Sequence, residues 1–212
     1  MLETKIKDMY KERTWNKKAT DVIIEFVNRI QKIYGDKYLD RILNRLAELE
    51  KIKEEFDDSK YQASSKKSYI VFFKEIKDDE KFKYVLEHEL FHFIQKEGSK
   101  FEEVPEKYKK LVDKNTKFFL LEEAFVQYFT AVINNKNPEY TFVDDKGITK
   151  KCWLNECYKD IVGIVEELEN KIGRSALFDM YMDDECYENE IKKFDITYGE
   201  NEFLKYIEEI CK

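Results

Sequence analysis

A chain of 212 residues with a formal charge of −7, its acids and bases interspersed, lacks the basic field that nucleic-acid phosphates require. Charged residues make up 39 %, and 16 Phe and 14 Tyr supply material for an aromatic interior, so the composition is that of a folded, core-bearing protein and not a disordered one. No run approaches the eighteen apolar residues of a membrane span, and the opening "MLETKIKDMYKER" has no signal-peptide core, which together predict a cytoplasmic protein.

Two prolines and six glycines leave long stretches free to be helical. A first helix is expected from a cap near Thr20–Asp21 through "VIIEFVNRIQKIY", closed by Gly35. Asp36 can open a second, "KYLDRILNRLAELEKIKEEF", with Leu39, Ile42, Leu43, Leu46 and Leu49 on one face. The period then changes. "KYQAS" and "SYIVFF", joined by "SKK", read as a hairpin of β-branched and aromatic residues. Asp78–Asp79 can cap the next helix, which carries "YVLEHELFHFIQKEG". A connection over about 99–114 leads to "TKFFLLEEAFVQYFTAVINN", apolar nearly all round and therefore expected to be buried. After a loop around "NKNPEYTFVDDKG", helical segments are expected near 154–172, 174–182 and 200–211. The sum is an α+β chain, mostly helical with one small sheet, folding as a single domain over 1–212: N-terminal helices to 57, a sheet and two central helices over 60–134, and a helical region over 150–212.

The chain's two histidines are His88 and His92, and Glu89 directly follows the first. Four residues is one helical turn, so both imidazoles lie on one face and can reach a single ion. Neutral imidazole is a good zinc ligand, and Glu89 is placed to take a proton from a water polarised by that ion. Chance placement of the second histidine four residues on, with Glu after the first, is roughly a one-in-a-thousand coincidence. Leu86, Leu90, Phe93 and Ile94 form the stripe expected to face the core.

A catalytic zinc takes a third protein ligand and keeps a fourth position open. No histidine remains. Cys152, Cys157, Cys186 and Cys211 lie far along the chain, with a C-x4-C spacing unlike a zinc knuckle, and are expected to be free thiols. A carboxylate is therefore expected, and Glu122 and Glu123 interrupt an otherwise apolar helix where an unpartnered carboxylate would be costly to bury. The alternative is that this pair faces solvent along a stripe with Gln127, Thr130 and Asn134.

His88-Glu89-x-x-His92 followed by "EAFVQY" (123–128) resembles the gluzincin metallopeptidases, the clan of thermolysin and the zinc aminopeptidases. Their second motif reads Asn-Glu-Gly/Ala, and the match over two helices implies Glu123 as the third ligand, with Glu122 standing where Asn is usual. It places Gln127 where a carboxylate usually orients a ligand histidine, and Tyr128 where the aminopeptidases often carry a tyrosine. It further implies a substrate-pairing strand beside the active-site helix, for which "SYIVFF" (68–73) is the candidate. An oxyanion-stabilising tyrosine from the C-terminal region is also implied, Tyr158 first and Tyr181 next. No Gly-x-Met-Glu-Asn stretch is present, which leaves an exopeptidase without support. The last third also looks like the tail of uncharacterised clostridial-type proteins that carry this motif pair. The expectation is a zincin-like, zinc-dependent peptidase, Glu89 its general base, cutting peptide or protein substrates internally. Two alternatives stand beside it: a regulatory protease resembling those that act on mobile-element repressors, and a zinc-binding interaction protein with little turnover.

Overall fold

The computed structural model describes residues 2–11, 17–57, 62–95, 105–111, 119–135, 139–143, 149–153 and 159–210, the side chains of 139–143, 149–153 and 159–160 excepted. Mostly helical, with a small mixed sheet, it has the α+β class expected. Its residues gather into two compact units, the first from 1–94 and 130–154 and the second from 95–129 and 155–212.

The first unit begins with a helix not anticipated from the sequence, α1 (Leu2–Tyr10), which buries Ile6 and Tyr10. Helix α2 (Lys17–Tyr34) starts a turn earlier than the Thr20–Asp21 cap suggested and buries Ile23, Phe26, Val27 and Ile30. Gly35 ends it, as expected, in the left-handed region at φ 76°, its N–H donating to the Gln31 carbonyl. Helix α3 (Leu39–Glu48) buries Ile42, Leu43 and Leu46, and then stops eight residues short of the expected end.

Strand β1 (Lys51–Glu54) replaces its last two turns, pairing parallel with β3 (Tyr69–Phe72), which pairs antiparallel with β2 (Ala63–Ser65). Helical propensity in "EKIKEEF" is overruled by partners: Glu50 N–H donates to Ser68 O, Glu55 N–H to Phe72 O and Asp57 N–H to Phe73 O. The β2–β3 hairpin matches the expected one, with Lys66 N–H closing its turn onto Tyr69 O. Strand β3 is central in the order β1-β3-β2. With both its edges taken, it cannot pair with an added peptide strand, which corrects the role expected of "SYIVFF"; among the described residues the outer edges of the sheet belong to β1 and β2.

Helix α4 (Asp79–Ile94) starts where Asp78 was expected to cap it, the Asp78 carboxylate accepting the Lys81 N–H at 2.7 Å. Leu86, Leu90, Phe93 and Ile94 are fully buried, and Phe91 meets Phe26 of α2 edge-on at 4.9 Å between ring centres. The loop expected around 135–147 contains a strand: β4 (Glu139–Val143) pairs antiparallel with β5 (Thr149–Trp153).

Helix α5 (Phe119–Ile133) runs through both units and is as deeply buried as its composition implied. In the second unit its Phe129 packs against Phe178 and Tyr181 of α7 (Arg174–Met182), at 5.3 and 5.1 Å between ring centres. Helices α6 (Lys159–Ile172), α7 and α9 (Glu202–Ile210) fall within the expected segments. Between the last two lies an unanticipated helix, α8 (Asp184–Tyr198), capped by the Asp183 carboxylate, which accepts the N–H groups of Glu185 and Cys186. The core of this unit is built from Leu168, Leu177, Phe178, Tyr187, Ile191, Phe194, Phe203 and Ile207. Among the described residues no helix is long and apolar enough to cross a membrane.

Candidate metal centre

The site starts with helical geometry. Acids at Asp79 and Glu80 favour the N-terminus of α4, and the apolar stripe pins one side of the helix in the core. His88 and His92 therefore emerge one turn apart on the flank, each partly buried. Their rings lie 4.9 Å apart between centres, and their Nε2 atoms are 3.2 Å from each other. Two nitrogens each about 2.0–2.1 Å from a tetrahedral zinc stand about 3.3 Å apart. The pair thus already holds the spacing that a shared ion demands.

The third donor comes from α5. Ligand atoms of His88, His92 and Glu123 all lie within 4.8 Å of one another, and no other trio of His, Cys, Asp or Glu among the described residues meets that geometry. It is Glu123, not its neighbour Glu122, that joins the pair. Two imidazoles and one carboxylate are a donor set suited to zinc with an open fourth position, so the residues present fit the ion. Glu89, 8 % exposed, sits beside the first ligand in the chain.

Gln127 follows Glu123 by one turn and is 1 % exposed. Neither of its amide atoms has a hydrogen-bond partner among the described residues, so it makes no bond to a ligand histidine here. Tyr128, also 1 % exposed, is packed in the core with its hydroxyl unpartnered among the described residues. Tyr158 lies outside the described residues. Tyr181 is fully buried in α7, its ring against Phe129. Cys186 is partly buried in α8, while Cys157, Cys211 and the side chain of Cys152 lie outside the described residues.

The stripe Gln127–Thr130–Asn134 does not face solvent. Gln127 and Thr130 are buried, and Asn134 enters a polar cluster that sequence reading missed. Glu87, the residue before His88, is fully buried. Its Oε1 accepts from Arg29 Nη1 at 2.9 Å and its Oε2 from Asn134 Nδ2 at 2.5 Å, while Asn134 Oδ1 accepts from the same Arg29 nitrogen at 2.9 Å. Asn134 Nδ2 also donates to the Thr130 carbonyl, and Glu25 pairs with Arg29 from the exposed side. Burial pushes the Glu87 carboxyl up to about 7, against the opposing pull of the Asn134 hydrogen bond and the Arg29 charge. Burial, with Glu87 and Glu80 nearby, likewise raises the neighbouring Tyr84 phenol to about 12. The one sequence signal was an arginine within the apolar run "VIIEFVNRIQ".

No protein-family model, curated protein or solved structure matches the chain.

Proposed function

We propose that this protein is a zinc-dependent peptidase of the gluzincin kind, cutting peptide or protein substrates internally, in the cytoplasm. One observation carries the reading: two imidazole Nε2 atoms 3.2 Å apart with the Glu123 carboxylate beside them and Glu89 directly after the first histidine. His88, His92 and Glu123 would hold the ion. Zinc, when bound, supplies a Lewis acid for a carbonyl and a water acidic enough to react at neutral pH. Glu89 takes the proton as general base and returns it to the leaving amine. A carboxylate that merely helped to hold a metal would have no need of that position, which favours an enzyme over a binding module. The outer edges of β1 and β2, unpaired among the described residues, offer main-chain groups to align an extended peptide, and β2 packs beside α4.

The test has two stages. Metal analysis of the purified protein should find one zinc per chain, and a peptide library should be cleaved in a manner abolished by a chelator. Glu89→Gln should then retain zinc and lose turnover by about a hundredfold or more. Retained zinc with no cleavage by either form would leave a binding protein, and undiminished cleavage by Glu89→Gln would remove the general-base role.

A further inference from the structure

Helix α5 carries a polar face within an apolar helix. Glu123, Gln127, Thr130 and Asn134 follow one another at intervals of four, three and four, so all lie on one side. Seven residues from Glu123 to Thr130 make close to two turns at 3.6 per turn, and Asn134, the first residue beyond the helix, is tied to that side by donating Nδ2 to the Thr130 carbonyl. The first residue of this seam meets the histidines of α4, and the last meets Glu87, the residue preceding His88.

Those two meetings fix α5 against α4 at two points along its length. Any rotation of α5 that carried Glu123 away from the imidazoles would also pull Asn134 off Glu87. The far point is rigid because it is closed on itself. Arg29, Glu87 and Asn134 each bond to the other two, and Thr130 O holds the Asn134 amide from within its own helix. A buried ion pair is a poor source of stability compared with apolar packing, but it accepts few alternative arrangements, and that is what a positional lock requires.

The geometry points to Asn134, held by Glu87 and Arg29, as a positioning residue that sets the rotation of α5 and thereby holds the Glu123 carboxylate at the histidine pair. The inference rests on the metal-site reading. It assigns work to three residues that touch neither the ion nor a substrate.

A thermodynamic cycle on metal affinity tests it. Zn2+ is titrated against a competing chromophoric chelator into the wild type, Asn134→Ala, Glu123→Ala and the double variant. Because the lock acts only through Glu123, Asn134→Ala weakens Zn2+ binding about tenfold or more on its own, the range seen for residues that orient a ligand, and changes nothing further in the Glu123→Ala background. The Co2+-loaded Asn134→Ala protein should show a visible spectrum displaced toward that of Glu123→Ala. Ile207→Ala in the second unit, which lowers stability without touching this seam, should leave affinity unchanged. Asn134→Ser gives the same cycle should the alanine form fail to fold. Unchanged affinity in the Asn134 variants, or an equal loss with and without Glu123, overturns the inference while leaving the metal site standing. A wild type that takes up no Zn2+ overturns the metal site, and the lock with it.

Discussion

Two buried carboxylates, one in each compact unit, have their acidities shifted in opposite directions. Glu87 in the first unit is fully buried and met by one guanidinium and one side-chain amide, and its carboxyl is pushed up to about 7. Asp195 in the second is 7 % exposed, and desolvation raises it too, but its donors win: the Lys107 ammonium, the Phe203 N–H and the Tyr108 hydroxyl hold it below the ordinary carboxylate range. Asp195 Oδ1 accepts the Phe203 N–H at 3.0 Å, and Oδ2 accepts the Asn201 N–H at 3.1 Å and the Tyr108 hydroxyl at 2.7 Å. Backbone N–H groups at the start of α9 are fixed dipoles that cost no side-chain entropy to aim, whereas Arg29 must divide itself between Glu25, Glu87 and Asn134. Burial alone therefore does not decide ionisation; the number and rigidity of the donors do.

The contrast breaks most visibly at Asp195. Asp195→Ala strands the Tyr108 hydroxyl and the start of α9, and urea denaturation should show a loss of about 3–5 kcal/mol. Because the folded value is depressed, this contribution is present above the ordinary carboxylate pKa. The part that comes from ionisation should be lost as acid titrates the wild type down through its lowered value, narrowing the gap between the two proteins. Arg29→Met should come next, at about 3 kcal/mol, since it leaves Glu87 buried without its cation. Its cost should be greater at pH 8 than at pH 5, where a protonated Glu87 no longer needs a counter-charge. Glu87→Gln sharpens the comparison by reversing the sign. A raised folded value means the native state holds its proton longer than the unfolded chain, so the Glu87 contribution is fully present below about 4.5 and is lost as pH rises through about 7. Wild-type stability should fall across that window by about 3 kcal/mol relative to the glutamine form, read from urea midpoints at successive pH values. Lys107→Ala should be the mildest, under about 1 kcal/mol, because one ammonium at a partly exposed site is readily replaced by water.

Where sequence reading succeeded, the cause was local. The His88–His92 spacing needs only one helical turn, and Asp78 needs only the first turn of α4 to cap. Gly35 and the β2–β3 hairpin are likewise settled within a few residues. Where it fell short, distant partners decided. Lys51–Glu54 has the charge pattern of a helix and became a strand because β3 offered backbone acceptors. The α8 segment does carry a local signal, an amphipathic stripe of Tyr187, Ile191 and Phe194, and β4 carries one in its β-branched and aromatic residues.

By itself, then, the chain's order of residues determined that two imidazoles share one helical face next to a glutamate, because periodicity acts over four residues and needs no partner. Only the tertiary structure set Glu123 beside the imidazoles, turned the seam from Gln127 to Asn134 inward, and closed Arg29 and Asn134 on Glu87. Those partners stand 58, 105 and 47 residues apart in the chain. At such separations no local pattern records an encounter, and the packing of whole helices selects which polar groups must satisfy one another once water is gone.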